Sequence, residues 1–281
     1  MKKLRLLAMM GLVLGIVVVT WISGCTGQDD TKLKVVTSTS HLEQLVKRIG
    51  GDKVDVINIV PPASHPGDFD ASPGDIRRLA DADLFLWHNW PGELYVNRLI
   101  ESANNPGLTV IAIEVPGSWM TPPVKIQAVE KVLAALSQVD NENSAAYREG
   151  AERYIESVEA SETRVKSLLA EVNVAEVKVI CAGWQAGFVN WVGLDMVATY
   201  GLPTVPTTSD YEKLVEQGIE AGVTLVIDNL HDNPNAGVPI ATELGCKRIV
   251  LYNFPGVDEK TKTWEDTFEQ NINMILEALS R

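Results

Sequence analysis

From residue 33 onward, the chain alternates between short apolar runs and segments with helical hydrophobic spacing. The segment SHLEQLVKRIGG (40–51) shows the helical pattern, with Leu42, Leu45, Val46 and Ile49 on one face and two glycines at its end. In this first part of the chain the pattern predicts helices at 40–51, 74–81 and 92–103 and strands at 33–38, 54–60, 83–88 and 108–113. Such alternation predicts a parallel sheet covered by helices on both faces.

The middle of the chain has a different pattern, with helical spacing only. A proline pair at 122–123 precedes one amphipathic helix predicted at 124–138, and Asp140 then offers an N-cap for a helical stripe that runs to about Val172. Thirty helical residues would reach about 45 Å, which is longer than one lobe needs. We therefore expect a helix that joins two lobes. The alternative is two shorter helices broken near Gly150.

The strand–helix alternation resumes at Val177. It predicts strands at 177–182, 202–206, 223–228 and 248–252 and helices at 186–199, 209–221, 235–244 and 262–279. The predicted fold class is therefore α/β, with two βα lobes that contain parallel sheets and are joined by a long backbone helix. The expected boundaries are 33–122 for the N-terminal lobe, 123–175 for the linking helices and 176–281 for the C-terminal lobe.

The first 25 residues have the pattern of an export signal. Three basic residues (Lys2, Lys3 and Arg5) precede an apolar run from 6 to 22, which ends in the small residues before Cys25. This pattern predicts a signal peptide at 1–24, a lipid-modified Cys25 and a polar tether at 25–32. The alternative is an uncleaved membrane anchor, because about 17 apolar residues are just enough to span a bilayer. Both interpretations place the globular part outside the membrane.

The net charge and the positions of the cysteines narrow the class of protein further. The formal net charge is −13, and removal of residues 1–24 takes away three basic groups and no acid, which leaves −16. An acidic surface argues against nucleic acid as a partner and suits a soluble monomer that attracts cations. Cys181 and Cys246 fall at opposite ends of the predicted second sheet, so we expect two buried free thiols rather than a disulfide.

All four histidines of the chain lie at or just after the carboxyl ends of predicted strands, where ligands of parallel α/β sheets bind. Carboxylates accompany them: Asp68 and Asp70 lie near His65, Glu93 follows His88, and Asp228 and Asp232 flank His231. Such mixed nitrogen and oxygen donors suit zinc, manganese, cobalt or nickel better than calcium. The expected metal ligands are His65, His88 and His231, with His41 as a possible fourth and Asp68 or Asp228 as the source of oxygen.

Several tryptophans also fall at the predicted strand ends. Trp90, Trp119 and Trp184 would line a cleft together with Glu93 and Gln185. Aromatic walls suit an organic ligand or a metal chelate. The alternative is that these side chains pack between the lobes.

The stretch PPASHPGDFDASPGDIRRLADADLFLWHN (61–89) resembles the signature region of the cluster A-I substrate-binding proteins, the zinc and manganese receptors of ABC importers. Further matches are VVTSTS…LVKRIGGDKV (35–54), WMTP (119–122), DNENSAAY (140–147) and PIATELG (239–245). The resemblance implies a metal ion held between two lobes as transported cargo. It also implies an ABC permease and its ATPase as partners, and a location at the outer face of the cell membrane or in the periplasm.

The sequence departs from the family at the positions where the resemblance implies metal ligands. Gly67 stands where the first histidine is usual, Gly117 where the second is, and Trp184 and Gln185 where the third is. Asn253 replaces a typical aspartate, although Asp228 remains at the other acidic position. The expected cargo is thus a divalent transition metal, zinc first and manganese next, with a metal chelate or small organic ligand as the alternative.

Two other classes of function have less support. The sequence contains no HExxH helix, no Gly-x-Ser-x-Gly turn and no glycine-rich phosphate loop. A zinc-dependent hydrolase that uses histidines and carboxylates of the cleft is therefore a weaker alternative. Nothing local in the sequence indicates an adhesin or a purely structural role.

Overall fold

The computed structural model describes residues 32–201 and 207–280, in which two parallel four-stranded sheets form the centres of two lobes. The first sheet has the order β2-β1-β3-β4 and contains β1 (Leu33–Thr37), β2 (Val54–Asn58), β3 (Leu84–Trp87) and β4 (Thr109–Ala112). The second sheet has the order β6-β5-β7-β8 and contains β5 (Lys178–Ala182), β6 (Asp195–Tyr200), β7 (Leu225–Asn229) and β8 (Lys247–Leu251). The shared strand order shows that the lobes repeat one topology.

Helices cover both sheets. The first lobe contains α1 (Ser40–Gly50), α2 (Pro73–Ala80) and α3 (Tyr95–Ala103). The second lobe contains α6 (Ala186–Val192), α7 (Thr208–Ala221), α8 (Val238–Leu244) and α9 (Trp264–Leu279). Between them lie α4 (Pro122–Val139) and α5 (Ser144–Leu169). The predicted fold class is therefore the observed one.

Helix α5 is one continuous helix of 26 residues, about 39 Å long. It is not broken at Gly150. A Cβ atom at Gly150 would lie 2.3 Å from the carbonyl oxygen of Ile49, so glycine allows α5 to pack directly on α1. Helix α5 also contacts α4 and α9, and thus joins both lobes.

One hydrophobic core runs through the facing sides of both lobes and includes the buried face of α5. Its members include Val35 and Leu84 in the first lobe, Tyr154 in α5, and Val179 and Phe268 in the second lobe. Two smaller clusters fill the outer sides, one in each lobe. Because both lobes contribute to this core and both contact α5, they pack as a single body.

The structure corrects the prediction around residue 193. The predicted helix 186–199 ends at Val192, because Gly193 adopts a left-handed conformation with φ +91° and caps it. A strand follows immediately at Asp195–Tyr200, where the sequence predicted helix. The strand predicted at 202–206 lies outside the described residues.

The cysteines have different environments. In the described part of the chain, neither Cys181 nor Cys246 forms a disulfide, as expected. Cys181 is buried, whereas Cys246 is only half-buried, so its predicted full burial is wrong. Cys246 follows Gly245, at the surface turn between α8 and β8.

Candidate functional site between the lobes

Two histidines form reciprocal hydrogen bonds between the lobes. His41, at the start of α1, donates from Nε2 to the carbonyl oxygen of Asn253 at 2.7 Å. His231, just after β7, donates from Nε2 to the carbonyl oxygen of Pro62 at 2.9 Å. A carbonyl oxygen can only accept, so both rings carry their proton on Nε2. Each lobe thus contributes one imidazole donor and one backbone acceptor.

The second nitrogen of each of these rings also has a partner. His41 Nδ1 lies 3.2 Å from the Nζ atom of Lys125, and His231 Nδ1 accepts from the backbone N–H of Asn253 at 3.2 Å. Burial lowers the pKa of His231 to about 4, and burial together with the charge of Lys125 lowers the pKa of His41. In this arrangement both rings are neutral and have no nitrogen lone pair left for a metal ion.

His88 is different, because one of its buried nitrogens has no partner. Its Nε2 atom lies 2.6 Å from the hydroxyl oxygen of Thr39. Its Nδ1 atom has no hydrogen-bond partner among the described residues, although the side chain is 1 % exposed. The ring stacks on Trp90 with centroids 3.7 Å apart and meets the edge of Trp119 at 4.3 Å. Burial lowers the pKa of His88, and so the ring is neutral.

His65 occupies a more open position in the loop after β2. Its Nδ1 atom accepts from the backbone N–H of Gly67 at 3.0 Å, and the side chain is half-buried. Its ring centroid lies 5.7 Å from that of Trp184 in the second lobe. Gly67 also packs closely against Gly92, so the His65 loop contacts the loop that follows His88.

The two carboxylates predicted as ligands have different environments. Asp68 is exposed. Asp228 is fully buried and accepts from the Tyr200 hydroxyl, the backbone N–H of Gly237 at 2.7 Å and the guanidinium of Arg248. Three donors satisfy this carboxylate, so Asp228 anchors the second lobe in this structure.

Glu93 lies directly under the loop that carries His88. Its Oε2 atom accepts from the backbone N–H of His88 at 3.2 Å and of Trp90 at 3.0 Å. Its Oε1 atom has no hydrogen-bond partner within the described chain. Burial raises the pKa of this carboxyl group. Glu93 therefore positions the His88 loop and leaves one buried oxygen unbonded.

An aromatic cluster fills the space between the histidines. Phe254 contacts His41 at 5.2 Å, His231 at 5.0 Å and Trp90 at 6.2 Å between ring centroids. Trp119 is 5 % exposed and packs within the cluster, as the packing alternative predicted. Trp184, in contrast, is 42 % exposed beside His65.

The positions where the resemblance implies ligands are occupied here by neutral groups. Gln185 donates from Nε2 to the side-chain oxygen of Asn253 at 2.9 Å, and its own Oε1 atom is buried without a partner in the described residues. Gly117 has φ +106°, and a Cβ atom there would lie 2.9 Å from Val124. A Cβ atom at Gly67 would lie 2.9 Å from the His65 ring. Larger ligand side chains would thus strain both glycine positions.

The predicted ligands are close neighbours without forming a ready-made metal site. Within residues 32–201 and 207–280, no three His, Cys, Asp or Glu side chains are grouped so as to hold a metal ion. His41, His88 and His231 share the interlobe aromatic cluster, His65 lies at its edge, and Asp228 is bonded elsewhere. The sequence reasoning located the correct edge of the sheets but not the hydrogen-bond partners.

Two residues of the site were not predicted as functional. Asn253 contacts three side chains through its backbone and amide groups, and the sequence marked it only as a replaced aspartate. Lys125 is fully buried, and burial lowers its pKa to about 7. The burial of Lys125 was predictable from the sequence, because it lies three and four residues before Ala128 and Val129 on the apolar face of α4.

Comparison with known proteins identifies the family. The model for the family ZnuA, zinc-uptake complex component A periplasmic, matches residues 35–278. The chain belongs to this family. Membership confirms the resemblance found in the sequence.

Individual relatives have low sequence identity to this chain. The chain is 26 % identical over 193 residues to the metal ABC transporter substrate-binding lipoprotein SsaB of Streptococcus sanguinis, which covers 59 % of this chain and 61 % of that protein. It is 26 % identical to the manganese-binding lipoprotein MntA of Bacillus subtilis, over 89 % of this chain and 90 % of that protein. The match to SsaB thus spans less than two thirds of its length.

A solved structure confirms the fold. The substrate-binding protein FpvC of P. aeruginosa, in complex with Ni²⁺, superposes with a TM-score of 0.77 and 20 % identity, and covers 89 % of this chain and 97 % of that chain. Among the described residues, no helix is both long and apolar enough to cross a membrane. The predicted export signal and Cys25 lie outside those residues.

Proposed function

We propose that the protein captures a divalent transition-metal ion between its lobes and delivers it to an ABC permease driven by an ATPase. Zinc is the favoured cargo and manganese the next, with cobalt and nickel suited to the same donors. The relatives' names support a metal cargo, because SsaB is described as a metal and MntA as a manganese lipoprotein. The neutral and acidic residues of this particular site decide which ion the chain selects.

The unpartnered Nδ1 atom of His88 carries the proposal. A buried polar atom without a partner is costly, and a metal ion bound at Nδ1 would remove that cost. If His88 donates from Nε2 to Thr39, its Nδ1 atom presents a bare lone pair, which is the form that binds zinc. Thr39 would then hold the ring in place, as outer-shell partners of metal-bound histidines do.

The remaining ligands would come from other loops at the same edges of the two sheets. His65 Nδ1 accepts from the backbone N–H of Gly67, so its Nε2 atom carries the proton, and His65 could bind a metal ion only after that hydrogen bond is released. Asp68 or Glu93 can supply carboxylate oxygen. From the second lobe, Gln185 offers a buried, unpartnered Oε1 atom. His231 and Asp228 could join only after release of Pro62 and Arg248 respectively. Cargo binding would therefore adjust the contacts between the lobes.

Metal analysis of the native protein tests the cargo. The mature chain is produced with its own export signal and without a histidine tag, then purified in metal-free buffers. Elemental analysis should find about one zinc or manganese ion per chain, and less than half of it in His88→Ala. The matched control is Asp232→Ala, an exposed acid three residues after β7. Equal metal in all three proteins, or none in the wild type, would contradict the proposal.

A chelated metal is the second candidate, and one observation favours it. Trp184 exposes 42 % of its surface next to His65, and an exposed tryptophan is suited to stack on an organic ligand. The test follows intrinsic fluorescence during titration with zinc chloride and with zinc citrate. Preference for the citrate complex that disappears in Trp184→Ala would select this candidate. Equal responses to both zinc forms would reject it.

The lipid anchor is part of the proposal. Residues 1–24 would be removed as a signal peptide, and Cys25 would carry the lipid that holds the 25–32 tether at the membrane. Cys25→Ser should accumulate as unprocessed precursor without incorporated fatty acid. Normal labelling of that variant with a radioactive fatty acid would contradict lipidation.

A further inference from the structure

Lys125 is a buried cation at the point where α4 meets both lobes. Its side chain is 0 % exposed, and its Nζ atom lies 5.5 Å from the ring of Trp119 and 5.6 Å from that of Trp264. The indole N–H of Trp264 in turn donates to the backbone oxygen of Trp119 at 2.9 Å. Two aromatic faces thus hold the lysine in place, and attraction between the ammonium and the rings compensates part of its lost hydration.

The Nζ atom of Lys125 lies where a metal ion bound to His41 would have to lie. Nζ lies 3.2 Å from Nδ1, on the only lone pair of this ring, because Nε2 donates to Asn253. Zinc binds imidazole nitrogen at about 2.0–2.1 Å, so an ion on the same lone pair would lie roughly 1 Å from Nζ. The lysine and a metal ion therefore cannot occupy this position together.

We propose that Lys125 is a specificity-determining residue that excludes divalent cations from His41 and restricts cargo to the His65 and His88 side of the cleft. The inference rests on the proposed metal cargo. It assigns His41 a structural role in place of the fourth-ligand role expected from the sequence. It also gives Lys125 two actions, since its nitrogen blocks the lone pair of His41 and its charge repels an ion nearby.

The acidic group that acts on Lys125 is already hydrogen-bonded elsewhere. Glu265, the acid that acts on Lys125 electrostatically, is bonded through its Oε1 atom to Arg48 at 2.8 Å and Ser157 at 2.7 Å. Lys125 itself cannot swing to solvent, since Trp119 and Trp264 enclose it. Removal of the amine is thus the change that frees His41.

The test is a metal titration of Lys125→Leu, which replaces the amine with a side chain that has no donor atom. We expect zinc and manganese to bind this variant about ten- to a hundredfold more tightly than wild type, or to occupy a second site, because a histidine lone pair becomes available. Addition of His41→Ala to Lys125→Leu should abolish the gain. Lys125→Arg, which keeps a buried cation, should show none.

Lys131→Leu is the matched control, because Lys131 is an exposed lysine on the same helix. Its metal affinity should equal that of wild type. Unchanged or weaker metal binding by a folded Lys125→Leu would overturn the inference. If that variant does not fold, Lys125→Met preserves the unbranched stem. Manganese is then the probe, because a thioether is a poor ligand for it.

These outcomes separate the inference from the proposed function. Metal binding by Lys125→Leu alone, with none by wild type, would support the role of Lys125 and reject a bare-metal cargo. Metal binding by wild type that Lys125→Leu leaves unchanged would support the cargo and reject the role of Lys125.

Discussion

The backbone carbonyl of Asn253 accepts a hydrogen bond from His41 across the interlobe contact at 2.7 Å. The backbone N–H of the same residue donates to His231, and its side chain accepts from Gln185. Asn253 thus fixes the tautomers of two histidines, one in each lobe. A residue at a position where the resemblance implies an aspartate is thus a hydrogen-bond centre for the lobe contact.

The interlobe histidines predict that stability falls in mild acid. The pKa of His231 is about 4 in the folded protein, whereas an unfolded imidazole titrates at about 6.5. As pH falls from about 6.5 toward 4, the unfolded chain binds a proton that the folded chain does not, and folding loses about 2 kcal/mol by pH 5. Above about pH 7 both states are neutral, and this loss is absent.

Urea unfolding of metal-free protein at pH 7.5 and pH 5 measures the effect. His231→Gln can keep hydrogen bonds but does not titrate, so its stability should change less between these pH values than that of wild type. Asp232→Ala, one residue away, should retain the full pH dependence. An identical loss in wild type and His231→Gln would show that His231 does not cause it.

Asp228 should contribute to stability without any metal. Asp228→Ala removes the carboxylate that pairs with Arg248 and leaves Arg248 and Tyr200 with one backbone carbonyl acceptor each, and it should lower the free energy of unfolding by about 3–5 kcal/mol. The exposed Asp232→Ala should change it by less than about 0.5 kcal/mol. The measurement is chemical unfolding in the presence of a chelator. A stable metal-free Asp228→Ala would instead favour a ligand role for this residue.

A side chain at Gly117 should lower the stability of the fold, although the resemblance implies a ligand at this position. With φ +106° and Val124 2.9 Å from a Cβ atom, Gly117→Ala should cost about 1–3 kcal/mol of stability. Gly107→Ala is the control, since its nearest contact is 3.5 Å away. Thermal unfolding compares the two. An equally stable Gly117→Ala would mean that the loop can adjust and that a histidine could be restored there.

The sequence predicted the two-lobe fold because its signals are local. Apolar spacing and the helix start near Asp140 were enough to locate α5, and the repeated βα units were enough to predict parallel sheets. The prediction failed at 186–199, where Gly193 ends a helix within a mostly apolar segment. Short apolar runs do not distinguish strand from helix by periodicity alone.

The candidate site was predictable only in part. Topology places His41, His65, His88 and His231 at strand ends, and the structure has them there. The partners of His41 and His231 are backbone atoms of Pro62 and Asn253 and a lysine from another segment, and backbone groups carry no sequence signature. Only the fold brings residues more than 80 positions apart into contact, as for His41 and Lys125.

The most direct test of the central claim is a calorimetric titration of metal-stripped, untagged protein with zinc and manganese. Wild type should bind one ion much more tightly than about millimolar. His88→Ala should lose several kcal/mol of binding free energy, and His65→Ala should lose less because its ring is half-buried. Wild-type binding no tighter than about millimolar, about −4 kcal/mol, would contradict capture of a bare divalent ion between the lobes.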